Sequence, residues 1–219
     1  MKYVKTTITS LILSLFWGLA LTGQPAAAIP LKNPSFEDAP RHSHVPQGWE
    51  DCGFEGETPP DVQPNGEFGV VKEAAHGNTY LGLVLRDNDT WECAAQPLAK
   101  PLLADTCYQL VLKACRSEVY KSISRAFGQL ANYDTPAVIR IWGGYVDKEK
   151  DGFEMLAETE PVANTDWQEY RLTFTSTAPY DYLYVEAYFD QGRPIPYNGN
   201  VLVDDLSDIV PCTLIAGNK

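Results

Sequence analysis

Short runs of alternating apolar and polar residues, separated by turn-forming clusters, constrain this chain more than any other feature. Residues 138–142, 170–175 and 182–189 alternate strictly, so each run has one apolar and one polar side. Further strand-like runs are 31–36, 68–72, 79–86, 91–98, 107–115, 153–159 and 200–209. Turn signals such as Asn198-Gly199 stand between the runs. About ten such strands predict an all-β fold of two packed antiparallel sheets.

One connection departs from this two-residue period. Residues 119, 123, 126, 127 and 130 are apolar and recur at helical spacing, and Ser117 stands where it could cap a helix. We therefore expect one short helix within the 116–136 connection.

The first 28 residues have the pattern of a secretory signal peptide. Lys2 and Lys5 precede an apolar run at 8–21, and three alanines at 26–28 supply a cleavage site. The apolar run is shorter than the roughly 20 residues that a membrane-spanning helix needs. We expect a cleaved signal peptide (1–28), a single β-sandwich domain (29–212) and a C-terminal tail (213–219). The product would be secreted, either extracellular or periplasmic, without a membrane span.

The net charge argues against nucleic acid as a partner. It is −12, and it becomes −14 once the two lysines of the leader are removed. Nucleic acids are held by clustered lysine and arginine, which this chain lacks. Anionic membranes are disfavoured for the same reason. Neutral partners and cations are compatible with this charge.

The cysteines predict two disulfides and one free thiol. All five follow the leader, and an oxidising compartment favours pairing. Cys107 and Cys115 lie eight residues apart on one predicted strand, so they cannot pair with each other. The sequence leaves the rest of the connectivity open. A Cys107–Cys212 bond is favoured, since the start of one strand can lie beside the end of an antiparallel neighbour.

Four short motifs follow one another in a recognisable order. They are LKNPSFE at 31–37, VPQGW at 45–49, GNTYLGL at 77–83 and VLVDDL at 201–206. Together they resemble galactose-binding-like jelly-roll domains, and look most like bacterial carbohydrate-binding modules of the family 4/9/22 type. The resemblance implies a two-sheet antiparallel jelly-roll β-sandwich that recognises a polysaccharide or another glycan.

The resemblance also implies a structural calcium ion. In this family, the Glu that closes the first strand and an Asp of the last strand often bind Ca²⁺ together with a loop. The matching positions here are Glu37, Asn78, Asp204 and Asp205. Clustered carboxylates need a hard cation to offset their repulsion. The alternative is that Glu37 caps a turn and that the two aspartates are solvated.

Two other patterns could hold metal ions. Residues 147–152, with Glu158 closing a twelve-residue frame, nearly match an EF-hand loop, although strands are predicted on both sides. A charged hairpin turn explains this stretch as well. His42 and His44 could offer two ligands to zinc, and a polar loop is the alternative for them.

Alternation also predicts one aromatic and charged sheet face. If Ile139 and Leu183 point into the core together with their alternate neighbours, then the residues between them point outward. Trp91 is expected on the same side. The candidate ligand-binding residues are Arg140, Trp142, Tyr184, Glu186, Tyr188, Arg86 and Glu92. Aromatic rings stack on sugars, and planar charged groups bind sugar hydroxyls. The alternatives are cross-strand pairing on a solvated sheet, or burial under the 116–136 connection.

The sequence therefore favours a non-catalytic glycan-binding protein. It contains neither a G-x-S-x-G nor an H-E-x-x-H motif. An extracellular or cell-surface protein-interaction module on the same fold is the alternative, since fold does not fix function. A polysaccharide-cleaving enzyme is a third possibility. It would require residues such as Arg140, Glu186 and Tyr188 to converge in one cleft.

Overall fold

The computed structural model describes residues 27–145 and 152–216. The strands are β1 (Glu50–Asp51), β2 (Asp61–Gln63), β3 (Tyr80–Arg86), β4 (Thr90–Trp91), β5 (Cys93–Pro97), β6 (Thr106–Cys115), β7 (Lys121–Ile123), β8 (Leu130–Asn132), β9 (Thr135–Gly144), β10 (Glu154–Glu158), β11 (Gln168–Ser176), β12 (Tyr182–Phe189), β13 (Gly199–Asp204) and β14 (Val210–Pro211). A 3₁₀ turn (Glu67–Gly69) and a helix α1 (Cys212–Ala216) complete the elements. The predicted signal peptide falls almost wholly outside the described residues. In the described part, neither helix is long and apolar enough to cross a membrane.

Two five-stranded antiparallel sheets pack face to face, which confirms the predicted all-β jelly-roll sandwich. One, here called the groove sheet, has the order β1-β5-β12-β9-β10. The other, here called the back sheet, has the order β2-β3-β13-β6-β11. Strand β4 pairs with β3, and β14 pairs with β6. A short parallel contact between Gly199 and Thr135 joins β13 to β9, so the two sheets are continuous there.

The core lies between the two sheets, where the alternation predicts it. Ile139 and Ile141 of β9, and Leu183 and Val185 of β12, are fully buried. Side chains of the back sheet face them; these include Leu81, Leu83, Leu110, Leu112, Val201 and Val203. The residues between the buried positions of β9 and β12 must therefore point away from the core.

The 116–136 connection covers the outer face of the back sheet, and it is not helical. Its strands β7 and β8 form a hairpin in which Ile123 pairs with Leu130. Tyr120 and Tyr133 of the connection are buried against the sheet, while Phe127 at the turn is 78% exposed. The predicted helix is wrong because the residues at helical spacing are not the ones that pack. Tyr120 and Tyr133, which lie outside that pattern, pack on the back sheet instead.

Three other predicted strands differ from the structure. Residues 31–36 form no strand, because the Asn33 side chain hydrogen-bonds the nearby backbone instead. It accepts from the Glu37 N–H (2.8 Å) and donates to the Glu37 carbonyl (3.0 Å). Residues 68–72 begin in a 3₁₀ turn, where Gly69 has φ +85° and packs against Val119. The run predicted at 200–209 ends as a strand at Asp204.

The disulfide prediction is confirmed. Cys107 pairs with Cys212, and this bond links β6 to α1 directly after β14, an antiparallel neighbour of β6. Cys52 pairs with Cys93 and ties the end of β1 to β5. The remaining cysteine, Cys115, is buried as a free thiol.

Gly199 provides a test of the junction between the sheets. A Cβ atom added there would lie 2.5 Å from the Thr135 carbonyl oxygen, which is backbone and cannot yield. We expect Gly199→Ala to lower the free energy of unfolding by about 1–3 kcal/mol, as measured by urea denaturation. Gly192→Ala is the control, since its nearest neighbour is a side-chain oxygen of Asp190 at 3.1 Å, which can move. Equal effects of the two substitutions would contradict this account of the junction.

Candidate functional site

An open groove of about 470 Å³ crosses the outer face of the groove sheet. Its lining residues are Cys52, Trp91, Cys93, Arg140, Trp142, Phe153, Tyr184, Glu186 and Tyr188. Five of the predicted ligand-binding residues are therefore brought together, and Trp91 joins them as expected. The groove lies on the face away from the 116–136 connection, so that connection does not bury it.

Glu186 lies between two tryptophans of the groove. The Trp142 indole N–H donates to its Oε2 at 2.6 Å, and the Trp91 indole N–H donates to its Oε1. Burial raises the pKa of Glu186, while these two hydrogen bonds and the positive charge of Arg140 act to lower it. The carboxyl group is thus surrounded by aromatic side chains and held by two donors.

Arg140 is fixed between its neighbours on both sides. It lies opposite Glu186 of β12 and opposite Glu158 of β10. Its Nε donates to Glu158 Oε2 at 2.5 Å, and its guanidinium carbon lies 3.5 Å from the centre of the Tyr188 ring. Only 15% of its side chain is exposed. A guanidinium held over a ring in this way gains a cation–π contact and keeps a defined direction.

Edge-to-face ring contacts extend the groove wall on both sides. Phe54 lies 4.7 Å from Trp91, which lies 4.7 Å from Tyr188, measured between ring centres. Phe153 lies 5.2 Å from Tyr184. Sequence reasoning missed Phe54 and Phe153 as site residues. Phe153 begins a predicted strand and directly precedes β10, so the pairing of β10 with β9 is the signal that would have found it. Phe54 lies in a loop, and no sequence pattern marks it.

Arg86 and Glu92 do not join this face, contrary to expectation. Both side chains are buried and form an ion pair with each other on the covered side of the back sheet. Glu92 also accepts the Val84 N–H at 3.0 Å, and Arg86 donates to the Thr58 hydroxyl at 2.8 Å. Adjacent residues of an extended segment point to opposite sides, so Trp91 in the groove places Glu92 away from it.

The predicted calcium ligands have hydrogen-bond donors as partners. Glu37 Oε1 accepts the Asn78 N–H at 2.9 Å, and Asp204 Oδ2 accepts the N–H groups of Ala75 (2.8 Å) and His76 (2.9 Å). Asp205 pairs with Lys113 at 3.0 Å. Backbone N–H groups donate to Glu37 Oε1 and to both oxygens of Asp204, and Lys113 pairs with Asp205, so these carboxylates have partners other than a cation.

No group of three or more His, Cys, Asp or Glu side chains placed to hold a metal exists within residues 27–145 and 152–216. Calcium therefore stays a prediction. A rise in melting temperature on adding Ca²⁺ that Glu37→Gln abolishes would establish the site. An unchanged melting temperature would remove it.

The other two metal patterns have separate partners. His42 lies 3.7 Å from Glu67, whereas the His44 ring bonds Arg41 at 2.6 Å, so the two histidines do not share a site. The EF-hand-like stretch lies outside the described residues apart from its end, where Glu158 is the partner of Arg140.

Comparison with known proteins finds solved structures that are similar at low sequence identity. No protein-family model and no curated protein matches the sequence. One similar solved structure is the CBM22-1 xylan-binding domain of Xyn10C from Paenibacillus barcinonensis. It is 16% identical, with coverage of 85% of this chain and 96% of that chain, and a TM-score of 0.48.

Two further similar structures come from other kinds of protein. The K3 cleaved adhesin domain of Lys-gingipain from Porphyromonas gingivalis w83 is 13% identical, with coverage of 85% and 98% and a TM-score of 0.49. Arabinose-bound MgGH51 α-L-arabinofuranosidase is 11% identical, and 84% of this chain covers 26% of that enzyme at a TM-score of 0.50. The arabinofuranosidase match agrees with the β-sandwich jelly-roll fold described above. At these identities the likeness concerns the fold alone.

The pKa of Glu186 gives a prediction for stability. Because burial raises it above the ordinary value of 4.5, the folded state binds this proton more tightly than the unfolded chain does. Stability due to this group is therefore lost as pH rises through the raised pKa. We expect the free energy of unfolding of the wild type, relative to Glu186→Gln, to fall in urea titrations as the pH rises from below 4.5 through the raised pKa. A difference that rises with pH would contradict the direction of this shift.

Proposed function

We propose that this chain is an exported, non-catalytic glycan-binding protein and that the groove is its binding site. One observation carries the proposal: aromatic rings from four strands or their flanks converge on one open groove beside a fixed Arg–Glu pair. The rings belong to Trp91, Trp142, Phe153, Tyr184 and Tyr188. Exposed aromatic surfaces of this kind commonly mark binding sites.

The chemistry of the groove suits a sugar chain. Sugar rings present C–H faces that stack on aromatic rings, and their edges carry hydroxyl groups. The ion pair of Arg140 and Glu158 at one side of the groove can form charge-assisted hydrogen bonds with such hydroxyls. Because these two charges compensate each other, this ion pair by itself gives no strong preference for a charged ligand.

The contacts of Glu186 favour binding over cleavage. A glycoside hydrolase needs two carboxyl groups that flank the scissile bond, one of them free to donate a proton. Both oxygens of Glu186 instead accept indole N–H groups, and Glu158 pairs with Arg140. Polysaccharide cleavage is therefore the weakest of the three functions considered.

The exported location is supported by the cysteine pairing. Two disulfides form among the described residues, and bonds of this kind persist in oxidising compartments. This agrees with the signal-peptide pattern of the first 28 residues and with an extracellular or periplasmic location.

A protein partner is the second candidate, and a different surface favours it. The hairpin of β7 and β8 and its flank expose apolar side chains on the side away from the groove: Val119, Ile123, Phe127 and Leu130. Clustered exposed apolar residues are typical of protein-interaction surfaces. A cell-surface or extracellular protein would bind there without using the groove.

Substitution of Trp142 tests the main proposal. On an array of neutral and acidic polysaccharides, we expect Trp142→Ala to weaken binding at least roughly tenfold, because it removes a stacking surface. Its melting temperature should fall only modestly, since the ring is half-buried in the groove and Glu186 keeps its hydrogen bond from Trp91.

Phe127→Ala is the matched control. It removes an exposed aromatic ring outside the groove and should leave glycan binding unchanged. Absence of any glycan binding by the wild type would overturn the proposal. Equal losses in the two variants would overturn the assignment of the groove. A partner protein whose binding is lost only in Phe127→Ala would support the second candidate.

A further inference from the structure

Two tryptophans of the groove donate hydrogen bonds to the same carboxylate, that of Glu186. Trp91 lies on β4, Trp142 on β9 and Glu186 on β12. Strand β12 pairs with β5 and β9, whereas β4 pairs with β3 of the back sheet. The Glu186 carboxylate is thus a side-chain link between a ring of the groove sheet and a ring from outside it.

We infer that Glu186 is a positioning residue that locks Trp91 and Trp142 into one arrangement, and that it is not itself a ligand for sugar hydroxyls. The inference deepens the proposed function, because it rests on the groove being the binding site. It revises the sequence-based expectation, in which Glu186 binds the sugar directly.

The donor and acceptor inventory supports this role. An indole has a single N–H donor and no acceptor, while a carboxylate has two acceptor oxygens. Each oxygen of Glu186 serves one indole, so a single group satisfies the polar atoms of both rings and leaves their faces free to stack. A glutamine at this position has only one acceptor oxygen, and its NH₂ group would face an indole N–H.

Other contacts hold the two rings from the opposite side. Trp91 is packed edge-on between Phe54 and Tyr188, each 4.7 Å away between ring centres. Trp142 lies directly opposite Tyr184 in the β9–β12 pairing. The rings are therefore bounded by packing, and the shared carboxylate fixes the remaining rotation of each about its side-chain bonds.

The charge on Glu186 determines how firmly it holds the rings. A hydrogen bond to a carboxylate is stronger than one to a neutral carboxylic acid. Arg140 on β9 acts to lower the pKa of Glu186, and Glu158 on β10 acts to raise it. Protonation of Glu186 should weaken both indole bonds at the same pH, because both depend on one group.

Indole resonances in ¹H–¹⁵N spectra of the ligand-free protein test this directly. Trp91 and Trp142 should titrate with one common midpoint above 4.5, the ordinary pKa of a glutamate. Trp49 and Trp167 are internal controls, since their N–H groups donate to the backbone carbonyls of Asn33 (3.1 Å) and Glu73 (2.9 Å). Those two resonances should not follow the same midpoint. Single Trp→Phe variants assign the four signals.

Two glutamine variants separate the roles of the carboxylates. Glu186→Gln should abolish the common titration and shift at least one of the two indole resonances. Glu158→Gln is the matched control, because Glu158 contacts Arg140. It should keep the common titration and move its midpoint to lower pH, since a neighbouring negative charge has been removed. Unchanged Trp49 and Trp167 resonances report that each variant is folded. If Glu186→Gln fails to fold, the wild-type titration still decides.

Separate midpoints for Trp91 and Trp142, or a titration of only one of them, would overturn the inference. No glycan is used, so the result stands apart from the proposed function. A common titration without glycan binding would support the role of Glu186 in holding the two rings, and it would overturn the proposal that the rings bind a glycan. Glycan binding that depends on Trp142 without a common titration would keep the binding site and reject the role of Glu186.

Discussion

Burial of every second residue on β9 and β12 is the constraint on which the rest of the structure depends. Ile139, Ile141, Leu183 and Val185 are fully buried between the sheets, and cross-strand pairing fixes their register. A shift by one residue would bring the polar side of each strand into the core, which is prohibitively costly. The same register determines which side chains of β9 and β12 face outward, so the composition of the groove follows from the packing beneath it.

The same reasoning explains how much could be predicted from the sequence. Period-two alternation is a local signal, so it identified the inward and outward sides of β9 and β12 without a structure. It also brought Trp142 and Glu186 to one face. The Cys107–Cys212 bond was favoured on strand direction, although the sequence left the connectivity open, and the structure contains it. Alternation does not predict contacts between side chains. The hydrogen bonds of Glu186 with Trp91 and Trp142 changed its assigned role from sugar ligand to positioning residue.

The errors share a different cause. In the 116–136 connection, Val119 and Phe127 stay exposed while Tyr120 and Tyr133 bury the segment, because the neighbouring sheet decides which residues pack. From the sequence, Arg86 and Glu92 are expected on the groove side together with Trp91. They form a buried ion pair instead. Alternation could have placed Glu92 on the side opposite Trp91, whereas the pairing with Arg86 depends on tertiary contacts.

The Cys52–Cys93 bond gives the groove a dependence on how the protein matures. Both half-cystines line the groove, and Phe54, which packs on Trp91, follows Cys52 by two residues. The bond ties the loop that carries Phe54 to β5. Reduction would remove this restraint on the groove wall. The oxidation state of Cys52 and Cys93 is for this reason a property of the site as well as of the fold.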